Sequence, residues 1–216
     1  MGGKVTVVDY GSGNLHSVAK ALERVGASHV EVSADPAAIR SAERIVFPGV
    51  GALGDCMAEL RRRELDTAIT DAVAAGIPLL GVCVGMQALF EHGEESGGTA
   101  GLGLLPGQVR AFPDNLQDLT TGQRLKVPHM GWNEVHQVIE HPLFAGIPQD
   151  ARFYFVHSYY AEPAGPDPIA AFTLYPYPVT AAVAAENVFG VQFHPEKSQE
   201  HGLTLFANFL TWDGRP

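Results

Sequence analysis

Along the first ninety residues the apolar positions switch between short continuous runs and spacings of three and four. Residues 4–9, rich in Val and weakly alternating, predict a first strand. After a glycine-punctuated turn at 10–14, Leu15, Val18, Ala19, Leu22 and Val25 recur at helical spacing and predict a helix buried along that face. Residues 29–32 predict a second strand, 36–42 a short helix and 44–47 a third strand. Residues 65–75 are again helical in period and end at Gly76, which delivers the chain to an apolar run at 78–90, Pro-Leu-Leu-Gly-Val-Cys-Val-Gly-Met-Gln-Ala-Leu-Phe. That run predicts a buried strand turning into a helix that carries Met86, Ala88, Leu89 and Phe90. Alternation of strand and helix implies a parallel sheet covered on both faces, with ligands at the carboxyl ends of its strands.

From Gly93 the pattern loosens. Residues 94–98 form a polar loop, 101–109 are glycine-rich, and 114–124 make a polar, exposed excursion. Residues 132–138, 152–156, 169–174, 180–185 and 188–193 predict short strands joined by Pro, Gly and Asn turns, antiparallel in character. No internal repeat or low-complexity segment marks a boundary. The expectation is one α/β domain over residues 1–216, with a mostly parallel central sheet, flanking helices and an antiparallel C-terminal half.

Composition narrows the function. Lys and Arg total 14 against 24 Asp and Glu, a formal net charge of -10, which argues against a nucleic-acid or anionic-membrane surface. The basic run Arg61-Arg62-Arg63 reads as a solvated helix face. Two cysteines, Cys56 and Cys83, cannot build a disulfide framework, so a reducing, cytoplasmic setting is expected. No signal peptide or spanning helix is apparent. Met1-Gly2 with Thr6 fits the loose myristoylation pattern, but the strand begins at Lys4 and no polybasic second signal follows. No Cys or His pair has metal-ligand spacing, and neither metal nor cofactor is expected.

Cys83 falls at a strand-to-helix turn between Gly81 and Gly85. Small neighbours allow such a turn to be sharp, so the side chain stands clear of the sheet, as the serine of Gly-x-Ser-x-Gly does in α/β-hydrolases. N–H groups of the following helix would lower the thiol pKa, and the Val84 N–H would meet a developing oxyanion. Two readings stay open from these residues: a nucleophile, or a buried cysteine packed as a small hydrophobe. Cys56, in Gly54-Asp55-Cys56-Met57 inside a helical stretch, reads as packing. The loop 48–54 contains Gly-x-Gly-x-x-Gly at 49–54, but it follows the third strand and a proline, so a dinucleotide site is rejected. Its backbone N–H groups remain suited to an oxyanion.

The segment 189–198 ends in His194-Pro195-Glu196-Lys197-Ser198. In extended backbone, residues two apart share a face, so His194 and Glu196 are read as an imidazole with its orienting carboxylate. His16, His29, His92, His136, His141 and His201 read as structural or exposed. His157, in Phe-Val-His-Ser-Tyr at 155–159, lacks a neighbouring acid and is read as shaping the pocket.

With Gly-Val-Cys-Val-Gly-Met-Gln at 81–87 and Phe-His-Pro-Glu-Lys-Ser at 193–198, the chain resembles the class I, triad-type glutamine amidotransferases. Pro-Gly-Val-Gly at 48–51, Asp-Tyr-Gly-Ser-Gly-Asn at 9–14, Pro-His-Met-Gly-Trp-Asn at 128–133 and Tyr-Phe-Val-His-Ser-Tyr at 154–159 narrow this to the glutaminase subunits of imidazole glycerol phosphate synthases. The resemblance implies a Cys83, His194 and Glu196 triad, an oxyanion site from Val84 and the Gly49, Val50, Gly51 loop, and substrate contacts from Gln87, Glu95, Ser158 and Tyr159. Gln87 could equally be an exposed helix amide, and Glu94 competes with Glu95. It also implies a (β/α)8-barrel cyclase partner in histidine biosynthesis, docking near Asn14, Trp132, Tyr154 and Lys197, with Trp132 alternatively a core residue. The nearest alternative is the amidotransferase subunit of anthranilate or aminodeoxychorismate synthase, against which the 128–133 motif argues.

Overall fold

The computed structural model describes residues 2–11 and 14–215. In chain order the elements are β1 (Gly2–Val8), α1 (Leu15–Arg24), β2 (Ala27–Ser33), α2 (Pro36–Arg40), β3 (Ile45–Gly49), α3 (Leu53–Arg62), α4 (Leu65–Ala74), β4 (Leu79–Cys83), α5 (Val84–Gln87), β5 (Phe90–Gly93), β6 (Thr99–Ala100), β7 (Leu105–Ala111), β8 (His129–Gln137), β9 (Ala151–His157), β10 (Tyr159–Pro163), β11 (Ile169–Leu174), β12 (Pro178–Ala185), β13 (Val188–Val191) and α6 (Gln199–Thr211). Among the described residues, nine strands form one sheet in the order β2-β1-β3-β4-β13-β12-β11-β8-β9. The first five are mutually parallel and the rest antiparallel. A four-stranded sheet, β10-β7-β5-β6, stands beside it.

The chain leaves β1 to one side to make β2, then reverses across it to β3 and β4. Right-handed crossovers therefore place α1 on one face and α2, α3 and α4 on the other. Side-by-side packing of α1 with α6, and of α4 with α2 and α3, agrees with that division. Strands β3, β4 and β13 are buried at every position, as central parallel strands covered on both faces must be. The mixed α/β fold expected from the pattern is the fold observed.

Several elements depart from the expectation. The helix foreseen after Cys83 is a single turn, α5, and Phe90 belongs to strand β5. The long-range helix field on the sulfur is correspondingly short, leaving the free N–H groups of that first turn. Gly54 lies inside α3, not in a loop, with Leu53, Cys56, Met57 and Leu60 buried on that helix. On α1 the fully buried positions are Val18, Ala21 and Leu22, while Leu15 and Val25 only pack against the core edge. Strands β5, β6, β7 and β10 and the C-terminal helix α6 were not foreseen. Of the turn at 10–14, Ser12 and Gly13 lie outside the described residues, as does Met1 of the lipidation pattern. The excursion at 114–124 is exposed except for the half-buried Asp118 and the buried Leu116, which packs with Phe112 and Val179 in a small separate apolar cluster.

Candidate active site

Cys83 is the last residue of β4 and has φ 55° and ψ -110°, a left-handed conformation that a side chain adopts only under constraint. The flanking glycines supply it. A Cβ on Gly85 would stand 1.9 Å from the Phe47 carbonyl oxygen of β3, and one on Gly81 2.9 Å from the Gly85 carbonyl oxygen. Only bare backbone lets the turn fold this tightly against the neighbouring strand. Gly49, paired with Cys83 across the β3–β4 ladder, is equally confined, since its Cβ would meet Gly85 N and Val84 Cβ at 2.7 Å. Gly51 has open space around it but φ +87°, so its requirement is conformational.

His194 follows β13, the strand next to β4. Its N–H donates to Tyr154 O at 2.9 Å. The Ser198 hydroxyl donates to His194 O at 2.6 Å and accepts from Tyr154 N at 3.0 Å, tying the segment to β9. Pro195–Lys197 is a 3-10 turn, not a continuation of the strand, so the alternation argument for His194 and Glu196 does not hold. The turn brings the two groups together instead, His194 Nδ1 to Glu196 Oε1 at 2.8 Å, both side chains fully enclosed. Gly202 of α6 permits this packing, because a Cβ there would lie 1.9 Å from Pro195 O.

Burial by itself pulls the His194 pKa down, but the hydrogen bonds and charges of Cys83 and Glu196 outweigh it and raise the pKa to about 9. Glu196 is raised by burial and lowered more strongly by His194 and Asn14, so it stays ionised below the ordinary carboxylate range. The site thus favours an imidazolium held between sulfur and carboxylate.

Cys83 and His194 open into one cavity of about 420 Å³, also lined by Val50, Gly51, Val84, Gln87, Glu95, His157, Ser158, Tyr159 and Lys197. Pockets of about 300–1,000 Å³ accept drug-sized ligands, so an amino acid fits. Most residues implied for catalysis and substrate are therefore gathered here. Glu95 stands at the start of α3 and accepts from Leu53 N at 2.5 Å, whereas Glu94 turns away to Ala111 N and Arg110. Gln87 is buried, not an exposed amide, and its Nε2 donates to Tyr159 O and Gln192 Oε1, each at 3.0 Å.

Of the residues implied for docking, Asn14 and Trp132 are placed differently. Asn14 is buried, and its Nδ2 donates to Glu196 Oε1 at 2.8 Å, behind the His194–Glu196 pair. Trp132 is 38 % exposed and not a core residue; beside it lie Tyr154 at 6.2 Å between ring centroids and Met130, exposed on the same strand as Trp132. Lys197 Nζ sits over the Tyr154 ring at 5.8 Å. Cys56 is buried, with its thiol pushed up to about 12 by burial, as a packing residue should be. Gln192, wholly buried with Nε2 3.7 Å from Cys83 Sγ, was missed, although a lone amide inside an apolar strand end signals a buried polar group needing partners. Among the described residues no cluster of three or more His, Cys, Asp or Glu is placed to hold a metal ion.

Solved structures share this fold: one described as a glutamine amidotransferase (TM-score 0.71, 17% identity, 96% of this chain and 99% of that one), and PurLQS from Thermotoga maritima (TM-score 0.70, 22% identity, 97% and 98%). The model of the class-I glutamine amidotransferase family matches residues 6–212, and the chain belongs to that family. It is therefore a glutamine amidotransferase, an enzyme with a glutaminase activity. At finer grain the chain is 57% identical over 211 residues to imidazole glycerol phosphate synthase subunit HisH 1 of Pseudomonas aeruginosa, covering 98% of each chain. It is also 57% identical to subunit HisH of Thiobacillus denitrificans, over 97% of this chain and 91% of that relative. These near full-length relatives support the function expected above, the glutaminase subunit of an imidazole glycerol phosphate synthase. Among the described residues no helix is long and apolar enough to cross a membrane.

Proposed function

We propose that Cys83, His194 and Glu196 hydrolyse glutamine and that the chain passes the ammonia to a (β/α)8-barrel cyclase with which it forms a heterodimer. The observation that carries this reading is the His194 imidazole, locked on Glu196 at 2.8 Å and hydrogen-bonded to Cys83 at the floor of an amino-acid-sized cavity.

The Cys83 thiolate attacks the side-chain amide carbon of glutamine, forming a C–S bond and a tetrahedral oxyanion. Val84 N–H and a peptide of the Gly49–Val50–Gly51 loop receive the oxyanion. His194 gives its proton to the departing nitrogen, the C–N bond breaks, and ammonia leaves a glutamyl thioester. Water, deprotonated by the now neutral His194, attacks the thioester and releases glutamate and the thiolate. Glu196, itself fixed by Asn14, keeps the imidazole in one orientation throughout. Gln87 and Glu95 with the Ser158-Tyr159 backbone hold the α-amino and carboxylate ends of the substrate.

Ammonia entering neutral water becomes ammonium and ceases to be a nucleophile, so it must travel in a sealed path. The exposed Met130, Trp132 and the Tyr154–Lys197 pair provide a docking surface next to the cavity, which Lys197 also lines. Asn14 acts from behind Glu196 and not as a surface contact. In this reading residues 1–216 work as one cytoplasmic glutamine amidotransferase domain, without cofactor and without a nucleic-acid or membrane partner. Gly51 at positive φ gives the oxyanion loop its freedom to rearrange on docking, so the solitary chain should turn over glutamine slowly. Co-purification with the cyclase, followed by glutamine-dependent cyclisation, tests the reading; equal glutaminase turnover with and without the cyclase and its ligand would contradict it.

A further inference from the structure

Beyond the triad, the buried hydrogen bonds around Cys83 have a single allowed direction. The Tyr159 carbonyl oxygen can only accept, and it receives Gln87 Nε2 at 3.0 Å and His157 Nδ1 at 2.9 Å. The Gln87 atom at that carbonyl must be nitrogen. The same nitrogen lies 3.0 Å from the Gln192 side chain, so the Gln192 atom facing it must be oxygen. Its nitrogen is then the atom turned to Cys83, with Sγ at 3.7 Å.

A second run of hydrogen bonds ends on the same carbonyl from the other side. Asn133 Nδ2 lies 2.9 Å from Leu174 O, another pure acceptor, and therefore donates to His129 Nε2 at 3.2 Å. His129 Nδ1 then donates to His157 Nε2 at 2.9 Å, which leaves His157 Nδ1–H for Tyr159 O. Both imidazoles must be neutral in this arrangement. Burial lowers His129 to about 4 and, with its neighbours His129 and His194, His157 to about 3, in agreement.

We propose that Gln192 is a further catalytic residue, donating an amide N–H to the Cys83 sulfur so that the thiolate, not the thiol, is the form the site matches. The polarity of that donor is imposed by the Tyr159 carbonyl through Gln87. This rests on Cys83 being the nucleophile. A thiolate is a strong acceptor and a poor donor, whereas a reversed amide would present oxygen to sulfur and favour the thiol. The other ionisable groups around the sulfur are His194 with Glu196 behind it, and His157, Tyr159, Glu95 and Lys197 across the cavity.

The test is the rate at which iodoacetamide alkylates Cys83 in the full chain, followed by peptide mass spectrometry from neutral pH to about pH 10, in Gln192→Met and Gln192→Glu. Methionine keeps the shape without the donor, and glutamate keeps the acceptor for Gln87 but turns a second oxygen to the sulfur. Loss of a hydrogen bond to a charged acceptor predicts alkylation and kcat slower by about tenfold in Gln192→Met at pH 7, and slower still in Gln192→Glu. The alkylation deficit should close toward high pH, where the thiol ionises without help. Either variant suffices if the other fails to fold by circular dichroism. Alkylation of both at the rate of the unsubstituted chain, or a deficit that persists unchanged to high pH, would overturn the proposal. No labelling of Cys83 in the unsubstituted chain would instead overturn its assignment as the nucleophile.

Discussion

Replacing Gly85 by alanine is the sharpest perturbation the site geometry offers. The added Cβ would lie 1.9 Å from the Phe47 carbonyl oxygen. The closest comfortable carbon–oxygen contact is about 3.3 Å, so roughly 1.4 Å of separation must be found. Phe47 is in a central strand buried at every position and paired with Gly81, which leaves it little room to yield. Overpacking a close-packed interior costs about 1–3 kcal/mol, and a backbone obstacle puts this site near the upper end, about 3 kcal/mol. With a urea slope of about 2 kcal/mol per molar, the unfolding midpoint should fall by about 1.5 M. Whatever part of the strain is relieved by opening the turn shifts Cys83, and a displacement of about 1 Å at a reacting atom costs about a hundredfold in turnover. Urea titration and glutaminase assay in the presence of the cyclase measure both. Gly51→Ala is the contrast: nothing lies within 4 Å of its Cβ, and its φ of +87° predicts a conformational penalty of about 1–2 kcal/mol without a steric clash. A Gly85→Ala protein with unchanged midpoint and turnover would refute the account of why this turn needs glycine.

Four other outcomes follow from buried titratable and polar groups. His129 and His141 at about 4 and His157 at about 3 are neutral in the fold and charged when unfolded below about pH 6.5, so their contribution is complete above that pH and is lost as pH falls toward 4; equilibrium unfolding should weaken by a few kcal/mol between pH 7 and 5. His194, raised to about 9, has the opposite sign, and its contribution is complete below about 6.5 and fades as pH climbs through 9. Asn14→Ala removes one of the bonds that lower Glu196, so the acid limb of the pH–rate profile should move to higher pH and kcat should fall by about ten- to a hundredfold, the value of a hydrogen bond to a buried charge. Cys56→Ala should retain turnover near that of the unsubstituted chain, since its thiol is buried and held at about 12.

How much of this was legible depended on the distance over which each feature is determined. The Cys83 turn is local: glycines two residues to either side and an apolar run before it suffice to foresee a tight turn at the strand end, but they leave open whether Cys83, which is buried, serves as nucleophile or as packing. Continuous apolar runs likewise announced β3, β4 and β13. Helix α6 was also encoded, with Gly202, Leu205, Phe206, Phe209 and Leu210 at spacings of three and four, and α3 carries the same signature at Leu53, Cys56, Met57 and Leu60. The stretch around Cys56 was read as helical, though without its bounds, whereas the polar residues around the α6 stripe masked that helix. The one-turn α5 escaped because Met86, Ala88, Leu89 and Phe90, interrupted only by Gln87, form a short apolar stretch that fits a buried helix or a turn into another strand equally well. Asn14 was beyond reach for another reason: its partner Glu196 is 182 positions away, and no local pattern states which pole of a surface motif turns inward. The same holds for the direction of the Gln87–Gln192 bond, which is decided by a carbonyl in β10.

The central claim is that Cys83 carries the glutamyl group during turnover. Acid quenching of the chain and its cyclase in mid-turnover with glutamine, followed by peptide mass spectrometry, detects that intermediate directly. The account predicts a glutamyl mass on the peptide containing Cys83, absent in Cys83→Ala and released by alkali as glutamate. An adduct on Cys56 instead, or ammonia production undiminished in Cys83→Ala, would contradict it.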